Sequence, residues 1–453
     1  MKLNLRNRLL ASTISTVTTC LLGGLLLNPA WAQEGPLPIG NSLEDFYKAA
    51  LESSPFLNIA QERWNISSAR KDAINGQLLP QISATANISD NDRKSFGVTR
   101  TYDGERFAVQ LNQVLFNWSA FAARKKAYLQ EDASEAEYYA RLAGLLTEVA
   151  DKYLSVLQAE DALGSIDSQL EAMTNQVNQI ESLYARQLVR ITDLYDAQAR
   201  LAAIQAERVN LESALIISRE GLRALTNLEA GELSRLPEEI TITPLEGELS
   251  DWIDRTRQNN QMIESRNFAY QAAQQQVSEQ RGAYLPKVSL VLQQADSNTG
   301  FDNQLVDDYE TTYIGLDVQV PLFAGGTRRA SVREAVSLRS IAQSELRQTQ
   351  LDMIESARTA YLQVKTGESR INAARVLAES TATSYEAMQR GFELGTVTSV
   401  DLLNALRDRF QAERELQRAR YDHIRADLVL RREAGELTAE DLLRISNLLE
   451  SSN

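Results

Sequence analysis

Gly76-Gln77-Leu78-Leu79-Pro80-Gln81-Ile82-Ser83 returns 206 residues later as Gly282-Ala283-Tyr284-Leu285-Pro286-Lys287-Val288-Ser289. In both copies a glycine closes a helical pattern, a Leu-Pro pair blocks its continuation, and an alternating apolar and polar run begins. The correspondence continues downstream. Leu115-Phe116 returns as Leu322-Phe323, Tyr153-Leu154-Ser155-Val156 as Tyr361-Leu362-Gln363-Val364, and Asp193-Leu194 as Asp401-Leu402. Ordered matches at an offset that drifts only from 206 to 208 residues mean tandem duplication of one structural unit.

Each unit reads alike. A first helix, about Ser42 to Asn75 and again Glu248 to Arg281, precedes a pair of strands. The strands are expected at about 81–90 and 105–115, then about 287–295 and 311–321. Ile82, Ala84, Ala86 and Ile88 alternate with polar residues, as do Phe107, Val109 and Leu111, then Val288, Leu290 and Leu292, then Ile314, Leu316, Val318 and Val320. Strands of about nine to eleven residues with this alternation suit a membrane β-barrel. Polar loops are expected between them, Asp90 to Gly104 and Asp296 to Glu310. Phe116, Trp118, Tyr284, Tyr313 and Phe323 near the strand ends suit an interfacial aromatic girdle.

Long helices follow, about 119–184 and 327–393, with return helices at about 193–226 and 401–433. No proline occurs between Pro80 and Pro237 or after Pro321, as uninterrupted helices require. Leu142, Leu145, Leu146, Val149, Tyr153, Val156 and Leu157 fall at three- and four-residue spacing, so one side packs. At 1.5 Å per residue, about 65 residues reach roughly 100 Å. The expected layout is a first repeat at 33–230, a connecting equatorial segment at 231–247 with a short strand over Ile240-Thr241-Ile242-Thr243, a second repeat at 248–435 and a C-terminal equatorial segment at 436–453.

Residues 1–32 read as a signal peptide: Lys2, Arg6 and Arg8, an apolar stretch, then Ala30-Trp31-Ala32 as the cleavage signal. Cys20, the one cysteine, lies inside it. Removal leaves 44 basic against 61 acidic residues, which excludes nucleic-acid binding through a basic face. With one His in the chain, the usual general-base and zinc chemistries have no residues to use. No enzyme activity, metal or cofactor is expected. A carboxylate-only glycosidase would need a cleft with two facing acids, which long helices do not offer. No apolar run after Gln33 is long enough for a transmembrane helix, so the exported chain either enters a membrane as a barrel or stays soluble.

Four strands cannot close a barrel, because known barrels start at eight, and an open edge in lipid leaves backbone groups unpaired. Several copies must share one barrel, with their helices continuing it as a tube. A soluble periplasmic coiled-coil adaptor or scaffold is the alternative that the same helices allow.

Over essentially the whole mature chain the sequence resembles the TolC family of outer membrane efflux proteins. The most specific stretches are Gly391-Phe392-Glu393-Leu394-Gly395-Thr396-Val397-Thr398-Ser399-Val400-Asp401-Leu402-Leu403-Asn404-Ala405, Val189-Arg190-Ile191-Thr192-Asp193, Arg420-Tyr421-Asp422 and Gly435-Glu436-Leu437-Thr438-Ala439-Glu440-Asp441-Leu442-Leu443. The resemblance implies a mainly α protein forming a homotrimer, with a 12-stranded β-barrel in outer membrane lipid and an α-helical tunnel through the periplasm. It implies a passive exit duct for efflux or type I secretion, opened by a periplasmic adaptor and an inner-membrane pump. It assigns Asp401 to a ring at the periplasmic constriction, with Asn404 where the family pattern has a second acid. Thr192 and Asp193 match a tip-closing pair, while Phe392 and Val397 replace the Tyr and Arg that would bind it. Gln176 matches a tether position and Gln389 stands where a Glu is usual, so an amide pair between them is expected. Gly395 keeps its place at the helix break, where the first repeat has Gln187. On this reading the closed tip is held more by packing, including Phe392, than by charge.

Overall fold

A computed structural model describes residues 38–237, 245–300, 303–438, 440–441, 445–446 and 449. The signal peptide and the strand expected over Ile240 to Thr243 lie outside the described residues. The described residues from Ile39 onward form one unit. Its first half carries β1 (Ile39–Gly40), α1 (Leu43–Ser53), α2 (Pro55–Gly76), β2 (Gln81–Ser95), β3 (Val98–Phe116), α3 (Trp118–Ala185), α4 (Ile191–Thr226) and β4 (Glu229–Ala230). The second carries α5 (Leu249–Asn259), α6 (Gln261–Gly282), β5 (Lys287–Thr299), β6 (Leu305–Gln319), α7 (Thr327–Glu393) and α8 (Ser399–Glu433). β1 and β4, not anticipated from the sequence, pair in parallel.

The first helix of each unit is two helices rather than one. Ser54 caps α2 by accepting the Leu57 N–H at 3.4 Å, and Pro55 sits where a helix needs no N–H. Asn260, 206 residues on, caps α6 by accepting from Met262 and Ile263 at 3.0 and 3.2 Å. Its amide also donates to the Glu433 carbonyl at 3.0 Å, fastening this break to the end of α8.

The strands are longer than expected, and the segments read as polar loops are mostly strand. β2 and β3 pair as far as Ser95 and Val98, leaving only Phe96-Gly97 as the turn, with φ of 51° and 83°. Two consecutive positive φ values suit the right-handed twist of a tight hairpin. Apolar alternation ends near residue 90, where both faces turn polar; backbone pairing needs no apolar side chains, so the ladder runs on to Ser95.

The four-stranded sheet has the order β2-β3-β5-β6. Its register aligns Ile82, Leu111, Leu292 and Ile314 across one face and Ser83, Gln110, Gln293 and Tyr313 across the other. One face is therefore a nearly continuous apolar band and the other is polar. On the polar face the Tyr313 ring lies over Gly315, where a Cβ would collide with it. β2 and β6 each pair on one side only.

α3 and α7 are 68 and 67 residues long, so each spans about 100 Å. Along the lower half, α3 packs on α4 and α8, and α7 packs on α8; nearer the sheet, α3 and α7 flank α6. The middle is anchored by Tyr153, fully buried against Phe46, whose hydroxyl donates to the carbonyls of Asn41 and Ser234 at 3.2 and 3.1 Å. Burial pushes its phenol pKa up. Buried Arg420 donates to the Pro237 carbonyl, and Tyr421 donates to Asp161 at 2.6 Å.

Gly435 ends α8 at φ +69°, and a Cβ there would overlap the Asn259 carbonyl oxygen. Gly435→Ala is expected to destabilise by at least about 2 kcal/mol, read from the unfolding midpoint in detergent. His423 is interhelical: a Cβ at Gly367 would strike its ring, and its Nδ1 is buried with no partner among the described residues. Burial lowers its pKa despite the Asp427 and Glu368 carboxylates nearby. The folded state therefore holds the neutral ring, and stability falls as pH drops below the ordinary histidine range. His423→Gln should flatten the pH dependence of the unfolding midpoint between about pH 7 and 5.

Candidate functional site at the helix tips

At the end remote from the sheet each long helix turns into its return helix. Leu188 donates to the Leu183 carbonyl at 2.9 Å and Gln187 to Tyr184 at 2.8 Å; in the second repeat Thr396 donates to Gly391 at 2.9 Å and Gly395 to Phe392 at 3.0 Å. These are two Schellman caps, which need a left-handed residue. Gly395 supplies it at φ +75°, but Gln187 adopts φ +63° with a full side chain.

The return helices are capped in turn. Thr398 Oγ1 accepts the Asp401 N–H at 3.2 Å and donates to Asp401 Oδ2 at 2.6 Å. In the first repeat Asp193 Oδ2 accepts the Arg190 N–H at 3.3 Å. Both acids thus sit in the first turn of a helix, where the dipole and the orphan N–H groups favour them. Asp401 and Thr192 are exposed, and Asp193 is half-buried.

Four helices meet just above the turns. Phe392 is buried with Met173, Val177 and Ile180 of α3, Leu194 of α4 and Leu402 of α8. Val397 folds back against Gly391, where a Cβ would lie 2.6 Å from its methyl. Gln176 is buried, but the expected amide pair with Gln389 does not form within the chain. The Gln176 amide faces the Tyr385 hydroxyl at 3.5 Å, four residues from Gln389 along α7, because Tyr385 is the residue on the buried stripe. Asn404 does not stand free. Its Oδ1 accepts from Arg200 Nη1 at 3.0 Å, while Arg200 Nε holds Asp196 Oδ2 at 2.9 Å. Sequence reasoning missed Arg200; its spacing of four from Asp196 was the visible signal.

At the opposite end, Phe116 contacts Phe121 edge-on at 6.3 Å, and the Trp118 indole donates to Ser278 at 3.2 Å as α3 begins. Phe323 is 91% exposed beyond the end of β6. No helix among the described residues is long and apolar enough to cross a membrane. Among the described residues no group of His, Cys, Asp or Glu could hold a metal ion.

The family model described as outer membrane efflux protein matches residues 46–228 and 252–436. The chain belongs to this family. The two matched segments fall one in each repeat. The chain is 27% identical to the outer membrane protein TolC of Vibrio cholerae over 93% of its length and 95% of that protein's. It is 26% identical to the alkaline protease secretion protein AprF of Pseudomonas aeruginosa, with 95% and 91% covered. Among solved structures, the Campylobacter jejuni CmeC outer membrane channel superposes with a TM-score of 0.77 at 16% identity, covering 94% of each chain, so the fold is shared. Family membership places the chain in the outer membrane, extending into the periplasm.

The strained cap gives a measurable expectation. Gln187→Gly should stabilise the protein by about 1 kcal/mol by removing the left-handed penalty, and Gly395→Gln should cost about as much, both read from unfolding midpoints.

Proposed function

We propose that the chain is the passive exit duct of a tripartite efflux or type I secretion machine, working as a homotrimer. The sheet carries this reading. Its apolar face is exposed, with Ile82 and Ile314 at 71% and 69%, and its two edge strands each pair on one side only. Lipid covers the face, and a neighbouring copy's edge completes each ladder. The resemblance to the TolC family supports three copies and a barrel of twelve strands. The helical layer repeats the logic: α2, α4 and α7 expose Ile59, Ile66, Ile216, Ile217, Ile341 and Leu351, which neighbouring copies would cover.

At the tips, Leu188 and Leu394 are 67% and 80% exposed and offer an apolar landing for a periplasmic adaptor coupled to an inner-membrane pump. Three Asp401 carboxylates around one axis attract cations and repel anions. The Phe392 core holds the tip shut, and the pump supplies the energy. A soluble scaffold would leave the apolar sheet face in water.

Outer membrane fractionation and planar-bilayer recording test this together. The protein should require detergent for extraction and conduct weakly. Phe392→Ala should raise conductance far more than Asp193→Ala, and Asp401→Asn should weaken cation preference. Recovery in the osmotic-shock fluid, or a large jump with Asp193→Ala alone, would overturn the reading.

A further inference from the structure

We infer that Arg200 is a latch fastening the α3–α4 hairpin to the α7–α8 hairpin, with Asn404 as its acceptor rather than as a pore-lining group. The inference rests on the duct reading. Asp196 and Asn404 occupy equivalent positions in the two repeats, 208 residues apart. Arg200 bridges them: Nε is fixed on Asp196 one turn earlier in α4, which aims Nη1 across to Asn404 in α8. A guanidinium makes both bonds at once because its donors are held in a rigid fork.

The link is asymmetric. The residue equivalent to Arg200 in the second repeat is Asp408, which pairs with adjacent Arg407 and makes no bond to another helix among the described residues. α4 and α8 otherwise barely touch, and what surrounds the bridge is apolar packing by Ala197, Leu201, Leu402 and Leu403. The Arg200 side chain is 29% exposed, so the bond to Asn404 is partly shielded from water. The amide is a neutral acceptor, and the pair neither buries a second charge nor adds one to the tunnel end. Any widening of the tip that draws α8 away from α4 must break this bond, whereas the contacts within each hairpin can survive it. Arg200 is therefore a positioning residue: it sets how readily the hairpins part and touches no transported molecule.

The test is single-channel recording on the purified full chain in planar bilayers, with thermal midpoints measured alongside. Arg200→Ala and Asn404→Ala should each raise open-state occupancy by at least about tenfold, the shift expected from one lost charge-assisted hydrogen bond. The double variant should do no more than either single change, because both remove the same bond. Arg200→Lys should also open the channel, since an ammonium lacks the fork, while Asn404→Asp should stay closed because it keeps an acceptor. These effects should appear without a matching fall in thermal midpoint. Wild-type occupancy in Arg200→Ala, while Phe392→Ala conducts freely, would overturn the latch and leave the duct intact. So would single effects that multiply in the double variant. Absence of conductance in every variant, Phe392→Ala included, would overturn both.

Discussion

A backbone N–H or carbonyl left unpaired in hydrocarbon costs several kcal/mol, and the four-stranded sheet presents two rows of them along β2 and β6. Everything else in the molecule answers to that constraint. One copy cannot bury these edges by curling, because four strands are too few to close. Several copies around an axis can, and once they do, whatever follows each strand pair is placed on the same ring. In such a ring the long helices would take their circular arrangement from the sheet. Their exposed apolar residues on α2, α4 and α7 lie on helices that have neighbours on only part of their surface within the chain.

Duplication makes this arrangement economical, and the departures from it are informative. Structural equivalents keep an offset of 206 residues up to the first strand of each pair and 208 at the return helices: Ser54 with Asn260 as caps, Gln187 with Gly395 and Asn227 with Gly435 as left-handed ends. Where the pairs match chemically, as with Ser54 and Asn260, both do one job, closing a helix break. Where they differ, the second repeat has adapted to a closer approach. Gly435 lies so close to the Asn259 backbone, and Gly367 so close to the His423 ring, that neither leaves room for a Cβ; in the first repeat Asn227 holds the place of Gly435, and Ala159 and Leu215 hold those of Gly367 and His423. The two halves share a plan but pack differently.

Much of the fold was legible because it depends on local signals. The long helices were found to within about two residues, since proline absence and apolar residues at three- and four-residue spacing are sequence features. The strand ends were misjudged because beyond Ser89 the sheet no longer sorts apolar from polar, and pairing in water leaves no periodic trace. The break at Ser54-Pro55 is written in the sequence as a capping serine before a proline, and the expectation of one helix over Ser42 to Asn75 passes over it. At the tips, capping by Asp401 is local and readable. Tyr385 facing Gln176 and Arg200 reaching Asn404 join residues 204 or more positions apart, and no spacing rule forecasts them.

The tip shows how such a molecule can be shut without being locked. Truncating a buried phenylalanine such as Phe392 to alanine costs about 3–5 kcal/mol, part from lost burial of apolar surface and part from the cavity left behind, and such packing has no preferred direction. Packing of this kind tolerates sliding: helices can shift while their apolar stripes stay covered. A charge-assisted hydrogen bond behaves oppositely, contributing less but vanishing within about an ångström of displacement. A four-helix core crossed by few polar links therefore resists dissociation while leaving the hairpins free to realign once those links are released. Relative to the family pattern that the sequence resembles, Phe392 in place of Tyr and Val397 in place of Arg would move the balance further towards packing. An adaptor that grips the exposed Leu188 and Leu394 would then need to redirect the core rather than dismantle it.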